Sequence, residues 1–382
     1  MAERTAVIVA ARRTPIGRRA GALSGVHPQE LLATANRAAL DSAHLDGSEL
    51  SLVLTGCVTK IGEQAYNVGR LATLGGGIPK EVPAVTLDAQ CGSSQQAVNM
   101  AASAIMSGAA DIVLASGVES MSRIPLGSDR ELGPGDALTE SYRRRYEVVS
   151  AGESAERIAD LWKITRAECD EFAWRSHQKA LAAQRNGAFD AEIVTVVRQD
   201  GTKIDRDEGV RDNELASLGQ LKPAFREDGF HTAATSSPIN DGAAAVVIMT
   251  RDEARARGLE PLARIAAQSI VGVDPTIRLT GPIPATAQLL ARSGLAMTDF
   301  DLFEVNEAFA SVVLAWMREY RPDPARVNRN GGAIALGHPV GATGARLITT
   351  AVHDLVRSNE RRALVAMCCG GGLGTGTVLV RD

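Results

Sequence analysis

No stretch of this 382-residue chain approaches the run of about 18 apolar residues that a membrane-crossing helix needs, so no membrane span is expected. No secretory leader is expected either, because the apolar run after Thr5 is short and meets Arg12-Arg13 at once. The last residues, Val380-Arg-Asp382, carry no peroxisomal or lipidation motif, and a cytoplasmic location is the expectation. Charge of one sign is not in excess either. Lys plus Arg number 41 against 45 Asp plus Glu, a formal charge of -4, and no broad basic stripe appears, which excludes nucleic acid as an expected partner. The longest basic cluster, Arg143-Arg144-Arg145, reads as a solvated surface patch. Cysteine is scarce: Cys57, Cys91, Cys169, Cys368 and Cys369 make an odd set of five without a C-x-x-C. That pattern is neither a disulfide framework nor a zinc site, so no metal is expected, and it fits a reducing compartment. The chain also lacks a G-x-S-x-G elbow, a P-loop and a G-x-G-x-x-G turn, which leaves serine-hydrolase, nucleotidase and dinucleotide readings without their motifs.

What is present is a large core in outline. Hydrophobic residues are 45% of the chain and mean hydropathy is -0.03, enough for two or three domains or one layered fold. Segments 5–11, 52–55, 84–87 and 110–117 read as strands, with helical patterns over 27–43 and from Gly92 to Ser107-Gly108. After Glu119 the composition changes, and 121–150, rich in Ser, Arg, Gly and Pro, reads as a long loop or lid. A capping box at Thr165-Arg-Ala-Glu168 opens a helix that stops at Asn186-Gly187, and 188–235 reads as short strands between polar turns. From Gly242 the alternation resumes, with strands over 243–250, 261–270 and 303–306, the last running into a helix at Glu307. The tail then repeats the order of the first half: glycine-rich turn 331–344, helix 345–356, apolar strand 364–367, glycine-rich loop 369–376. Such a pattern predicts an α/β fold of duplicated halves, residues 1–118 and 246–382, with an inserted lobe over 119–245 whose following strand returns to the first half.

Four short stretches at strand ends carry the chemistry. Cys91 lies between a short apolar run and a helix start, where unpaired N–H groups and the dipole favour a thiolate, and hence an acyl-accepting nucleophile. The plainer reading of a lone cysteine is a small buried hydrophobe. Of six histidines, only His338 is enclosed by Gly and Pro, in Gly337-His-Pro339, where close backbone approach and a base of near-neutral pKa would serve catalysis. Glycines that merely turn the chain are the alternative. Cys368 and Cys369 precede three glycines, which suits a proton relay beside an oxyanion hole as well as two core thiols. Asn306 ends a strand in Asn306-Glu-Ala-Phe309.

Taken together and in this order, these four stretches resemble the thiolase family of acetyl-CoA acetyltransferases and 3-ketoacyl-CoA thiolases. The resemblance runs from Arg13-Thr-Pro-Ile-Gly17 to Gly376. It implies two stacked five-stranded sheets in αβαβα layers with a loop domain, assembled as homodimers or homotetramers. It also implies coenzyme A as substrate and no prosthetic group. The catalytic set it implies is Cys91 as nucleophile, His338 as base and Cys368 as the acid or base at the enolate carbon. His338 and a water held by Asn306 would form one oxyanion hole, and the N–H groups of Cys91 and Gly370 the other. Ser237, before Asn240-Asp-Gly242, and Phe225, in Leu221-Lys-Pro-Ala-Phe225, match pantetheine contacts.

One departure bears on substrate. Short-chain biosynthetic members usually have a His-Met pair where this chain has Ser150-Ala151, which points to a roomier acyl pocket. The run Gln90-Cys-Gly-Ser-Ser-Gln-Gln96 is similar to degradative bacterial thiolases, including those acting on steroid side chains. Thiolysis of medium, long or bulky 3-ketoacyl-CoAs in β-oxidation is therefore expected, with acetoacetyl-CoA synthesis the alternative. A ketosynthase would need a second histidine in place of Asn306, a hydroxymethylglutaryl-CoA synthase would need a glutamate base, and a non-catalytic acyl-CoA binder would not keep all four positions filled.

Overall fold

The computed structural model describes residues 4–382; the start of the chain, on which part of the leader reading falls, lies outside the described residues. In chain order the first half contributes β1 (Ala6–Arg13), α1 (Pro28–Ser42), β2 (Leu52–Gly56), β3 (Ala84–Leu87), α2 (Ser93–Ser107) and β4 (Ile112–Ser120). The inserted segment holds α3 (Ala151–Leu161) and α4 (Arg166–Arg185), and β5 (Asn240–Thr250) brings the chain back. The second half is β6 (Ala263–Gly272), α5 (Pro282–Ser293), β7 (Leu302–Val305), α6 (Ala310–Tyr320), α7 (Thr343–Ser358), β8 (Arg362–Cys369) and β9 (Leu373–Val380).

Pairing follows the order β3-β2-β4-β5-β1 in one half and β6-β9-β8-β7 in the other. The halves join where β1 meets β6 at only two positions, Val7–Arg264 and Ile8–Ala263. A fifth place in the second sheet is held by a single parallel bridge, Phe303–Val327. β5 shows why two sheets need three helical layers. Its residues alternate, Val246 and Ile248 facing a core shared with α2, α7 and the second sheet, Val247 and Met249 facing α1. On the far side of the second sheet, Leu289 of α5 and Val313 and Trp316 of α6 cover Leu364 and Val378. The layers are therefore α1, first sheet, α2 with α7, second sheet, α5 with α6. No helix among the described residues is long and apolar enough to cross a membrane.

Four local readings are corrected. Residues 121–150 contain two short helices, Ser128–Glu131 and Glu140–Arg145, and 188–235 contain only one pair of two-residue strands, Val196–Val197 with Lys203–Ile204. The helix expected at Glu307 begins at Ala310, because the inserted segment claims the backbone before it: Ser237 N–H donates to Ala308 O at 2.9 Å and Ala310 N–H to Thr235 O at 3.0 Å. The glycine-rich stretch 369–376 is mostly strand. Gly374 and Gly376 lie in β9 because Gly281 and Leu289 press on them too closely for a side chain.

The insert is fastened to the frame by charge. Arg13, fully buried at the end of β1, donates to Glu192 at 2.6 Å and to both oxygens of Asp207 at 2.7 and 2.9 Å. Removing the cation leaves two carboxylates uncompensated in a dry place, so Arg13→Met is expected to destabilise the fold by about 3–5 kcal/mol. Urea unfolding of the variant against wild type measures this; a loss within error of zero would show that water already reaches these carboxylates.

Candidate active site

Cys91 sits in a tight turn between β3 and α2. Gln90, just before it, has a left-handed φ of 54°, an uncommon conformation for a residue with a side chain. The turn is held by Asp88 Oδ1, which accepts from Gln90 N–H at 2.7 Å, and by Ser93 Oγ, which accepts from Ala89 N–H at 2.9 Å and donates to Gln90 O at 2.6 Å. Gly92 follows because a Cβ there would stand 2.7 Å from Cys369 Sγ. The thiolate expectation is corrected by the surroundings. Burial pushes the Cys91 thiol up to about 11, although the N–H groups of Gly370 and of Cys91 itself pull it down. Desolvation outweighs the helix start, and the resting sulfur is a neutral thiol. The same two N–H groups are those assigned to an oxyanion hole.

His338 is fixed at three atoms. Its N–H donates to Asn240 Oδ1 at 2.9 Å, with Gly337 at φ 117° packed on the Asn240 amide. Thr343 Oγ1 donates to Pro339 O at 2.8 Å, so it accepts from His338 Nδ1 at 2.7 Å. That arrangement puts the ring hydrogen on Nδ1 and leaves Nε2 bare. Nε2 faces Asn306 Nδ2 at 3.4 Å. Burial, with Arg346 adding repulsion, lowers the imidazole to about 3, so it stays neutral through the physiological range.

Cys368 and Cys369 are separated by the strand's alternation, Cys368 joining a cluster with Ala308, Phe309 and Ile334, Cys369 the core between the sheets. Asn306 Nδ2 reaches Cys368 Sγ at 4.0 Å, while its Oδ1 is buried with no partner among the described residues. Burial, then the nearness of Cys91, holds the Cys368 thiol far above its ordinary value. Cys91, Gly370, Cys368, Asn306 and His338 thus come together, drawn from both halves of the chain.

Ser237 and Phe225 approach from the insert. Ser237 N–H is tied to Ala308 O, two residues beyond Asn306. Phe225, 41% exposed, meets Phe309 edge-on with centroids 5.6 Å apart and packs against Gly152, where a Cβ would be 2.1 Å from the ring. Sequence reasoning passed over Thr343 and Gln90 and used Asn240 only as a turn marker. It also missed Glu119, whose buried carboxylate accepts from Val58, Thr59 and Gly341 N–H and from Gln64 Nε2, holding the loop before α7. A buried-strand reading of 110–117 that stopped short of the carboxylate hid it. Among the described residues no group of three or more His, Cys, Asp or Glu is placed to hold a metal ion.

A cysteine at a strand-to-helix turn, flanked by two N–H donors, a bare imidazole nitrogen and a second thiol, defines a site built for acyl transfer. The family descriptions "Thiolase, N-terminal domain" and "Thiolase, C-terminal domain" match residues 6–252 and 259–381. The chain is 45% identical to the steroid 3-ketoacyl-CoA thiolase FadA6 of Mycobacterium tuberculosis, over 98% of this chain and 94% of that protein. It is 42% identical to a beta-ketoadipyl-CoA thiolase of Escherichia coli, over 99% and 100%. The crystal structure of the Bacillus anthracis acetyl-CoA acetyltransferase superposes with a TM-score of 0.92 at 37% identity, covering 99% of each chain. The chain belongs to the thiolase family, with the thiolase fold, and is an enzyme of the acyltransferase type.

Proposed function

We propose that the protein cleaves 3-ketoacyl-CoA with coenzyme A to acetyl-CoA and a shortened acyl-CoA, in fatty-acid or steroid side-chain β-oxidation in the cytoplasm. The observation that carries this reading is a connected cluster: the N–H groups of Cys91 and Gly370 lie on the Cys91 sulfur, Cys368 lies beside that sulfur, and Asn306 links Cys368 to His338. His338 Nε2 takes the proton of Cys91 as Sγ adds to the keto carbon. The carbon–carbon bond then breaks, its electron pair passing to the acetyl-CoA enolate, whose carbon takes the proton of Cys368. A coenzyme A thiol next gives its proton to the Cys368 thiolate and attacks the acyl-cysteine. Cys91 leaves as thiolate and recovers its proton from His338, so the site is restored. The orphaned Oδ1 of Asn306 supports a bound water beside His338, one donor for the enolate oxygen.

Ser237 and Phe225 contact the pantetheine arm in this reading, and residues 119–245 act as lid and coenzyme A cleft over a frame of 1–118 and 246–382. A homodimer or homotetramer is supported by β3, the outermost strand of its sheet, with Val85 48% exposed and one edge unpaired. The names of the relatives, a steroid 3-ketoacyl-CoA thiolase and a beta-ketoadipyl-CoA thiolase, favour degradation over synthesis. Loss of enolate absorbance across a series of 3-ketoacyl-CoAs of rising length, with excess coenzyme A, tests the assignment. Higher kcat/KM on chains longer than acetoacetyl-CoA is the expected result; cleavage of acetoacetyl-CoA alone would refute the substrate reading.

A further inference from the structure

Between β6 and α5 the chain lays a short 3-10 segment, Pro275–Thr280, over the turn that follows Cys368. Val273 N–H donates to Gly372 O at 2.7 Å, and Gly281 packs so tightly that a Cβ there would stand 2.4 Å from Leu373 O. Ile277 and Leu279 belong to the apolar cluster that contains Cys368, Ala308 and Phe309. Between those two apolar residues stands Arg278, half-buried. One of its terminal nitrogens donates to Val149 O, just ahead of Ser150 and α3, while Nε is buried with no partner among the described residues. No carboxylate is among the groups that bear on it, and the nearby Arg130 is repulsive. Burial accordingly weakens its hold on its proton.

A guanidinium used only to strap the lid would need no more than the bond to Val149. This one keeps a further buried donor and no counter-ion, and it is flanked by two residues of the apolar cluster that holds Cys368. Uncompensated cations in dry places are costly, and a planar guanidinium is the side chain that fits a carboxylate best. Next to the carbonyl it holds, Ser150 and Ala151 are small and exposed, which leaves room for an acyl chain to reach it.

We propose that Arg278 receives a carboxylate at the far end of the acyl group, so that the preferred substrates are 3-ketoacyl-CoAs that carry a second, free carboxylate. This rests on the thiolase reading above and narrows its substrate class. The test compares 3-oxoadipyl-CoA with 3-oxohexanoyl-CoA, which have the same carbon count and differ in whether the end is carboxylate or methyl. Wild type is expected to favour the acid in kcat/KM by about tenfold or more, the size of one charge-assisted hydrogen bond. Arg278→Met and Arg278→Gln are expected to erase that ratio, with Arg278→Lys restoring part of it. Equal rates on both substrates in wild type, or a preference that survives in both neutral variants, would overturn the proposal and leave thiolase activity standing. Cleavage of neither substrate by wild type would overturn both. Should the variants fail to fold, adipyl-CoA and hexanoyl-CoA as competing inhibitors of wild type read the same ratio, and equal inhibition would count against the proposal.

Discussion

Cys91→Ala is expected to lower thiolysis by on the order of 10⁴-fold or more, the scale on which loss of a nucleophile that works as a unit with its base is felt. Intact-protein mass after a rapid quench with substrate should show an acyl adduct on wild type and none on the variant. The neutral resting thiol gives a second, independent signature. Because burial holds it at about 11, the thiolate fraction grows with pH up to that value, so alkylation by iodoacetamide should climb steadily from neutral to alkaline pH. A rate already at its plateau near neutrality would mean that the thiol is ionised at rest and that the N–H groups of Gly370 and Cys91 outweigh desolvation. Alkylation at Cys91 that left turnover untouched would remove the residue from the chemistry altogether.

The second large effect falls on Cys368. Its thiol is held far above the ordinary cysteine range by burial and by the neighbouring sulfur, so it is a proton donor at rest and not a rival nucleophile. Cys368→Ala should therefore lower carbon–carbon cleavage by about 10²–10⁴-fold, the usual worth of a positioned general acid, and also slow acetyl transfer from acetyl-CoA to Cys91, because the same thiol protonates the departing coenzyme A. Loss of deuterium exchange at the methyl carbon of acetyl-CoA reports that step directly. Exchange that persisted at the wild-type rate would assign the enolate proton to another group.

The frame was legible in the sequence wherever apolar period and turn chemistry agreed. Ala84–Leu87 and the stop at Gly108 could be placed to the residue, because Pro83 and a left-handed glycine punctuate them. So could α4, whose start at Thr165 carries a full capping box. Legibility failed where partners distant in sequence decide the local backbone. Ala308 and Phe309 have helical neighbours in sequence, yet their backbone is bonded to Ser237 and Ser236 of the insert. Gly374 and Gly376 read as loop because glycine usually turns the chain, and only the close approach of Gly281 and Leu289 explains them as strand. The candidate site was readable by residue type through its likeness to a family. Its electrostatics were not, since desolvation depends on everything packed around Cys91 and His338 and leaves no mark in local sequence. Arg278 went unnoticed for a related cause: an arginine in a polar stretch reads as solvated until its neighbours are known.

The apolar mass between the sheets is stitched from both ends of the gene. Ala97, Val98 and Ile105 interleave there with Leu347, Ile348 and Val352. Either half made separately would expose the greasy flank of its central helix to water and carry only part of the reactive cluster. Neither fragment is therefore expected to persist as a soluble monomer, and activity should return only on mixing, as a reassembly of two incomplete pieces.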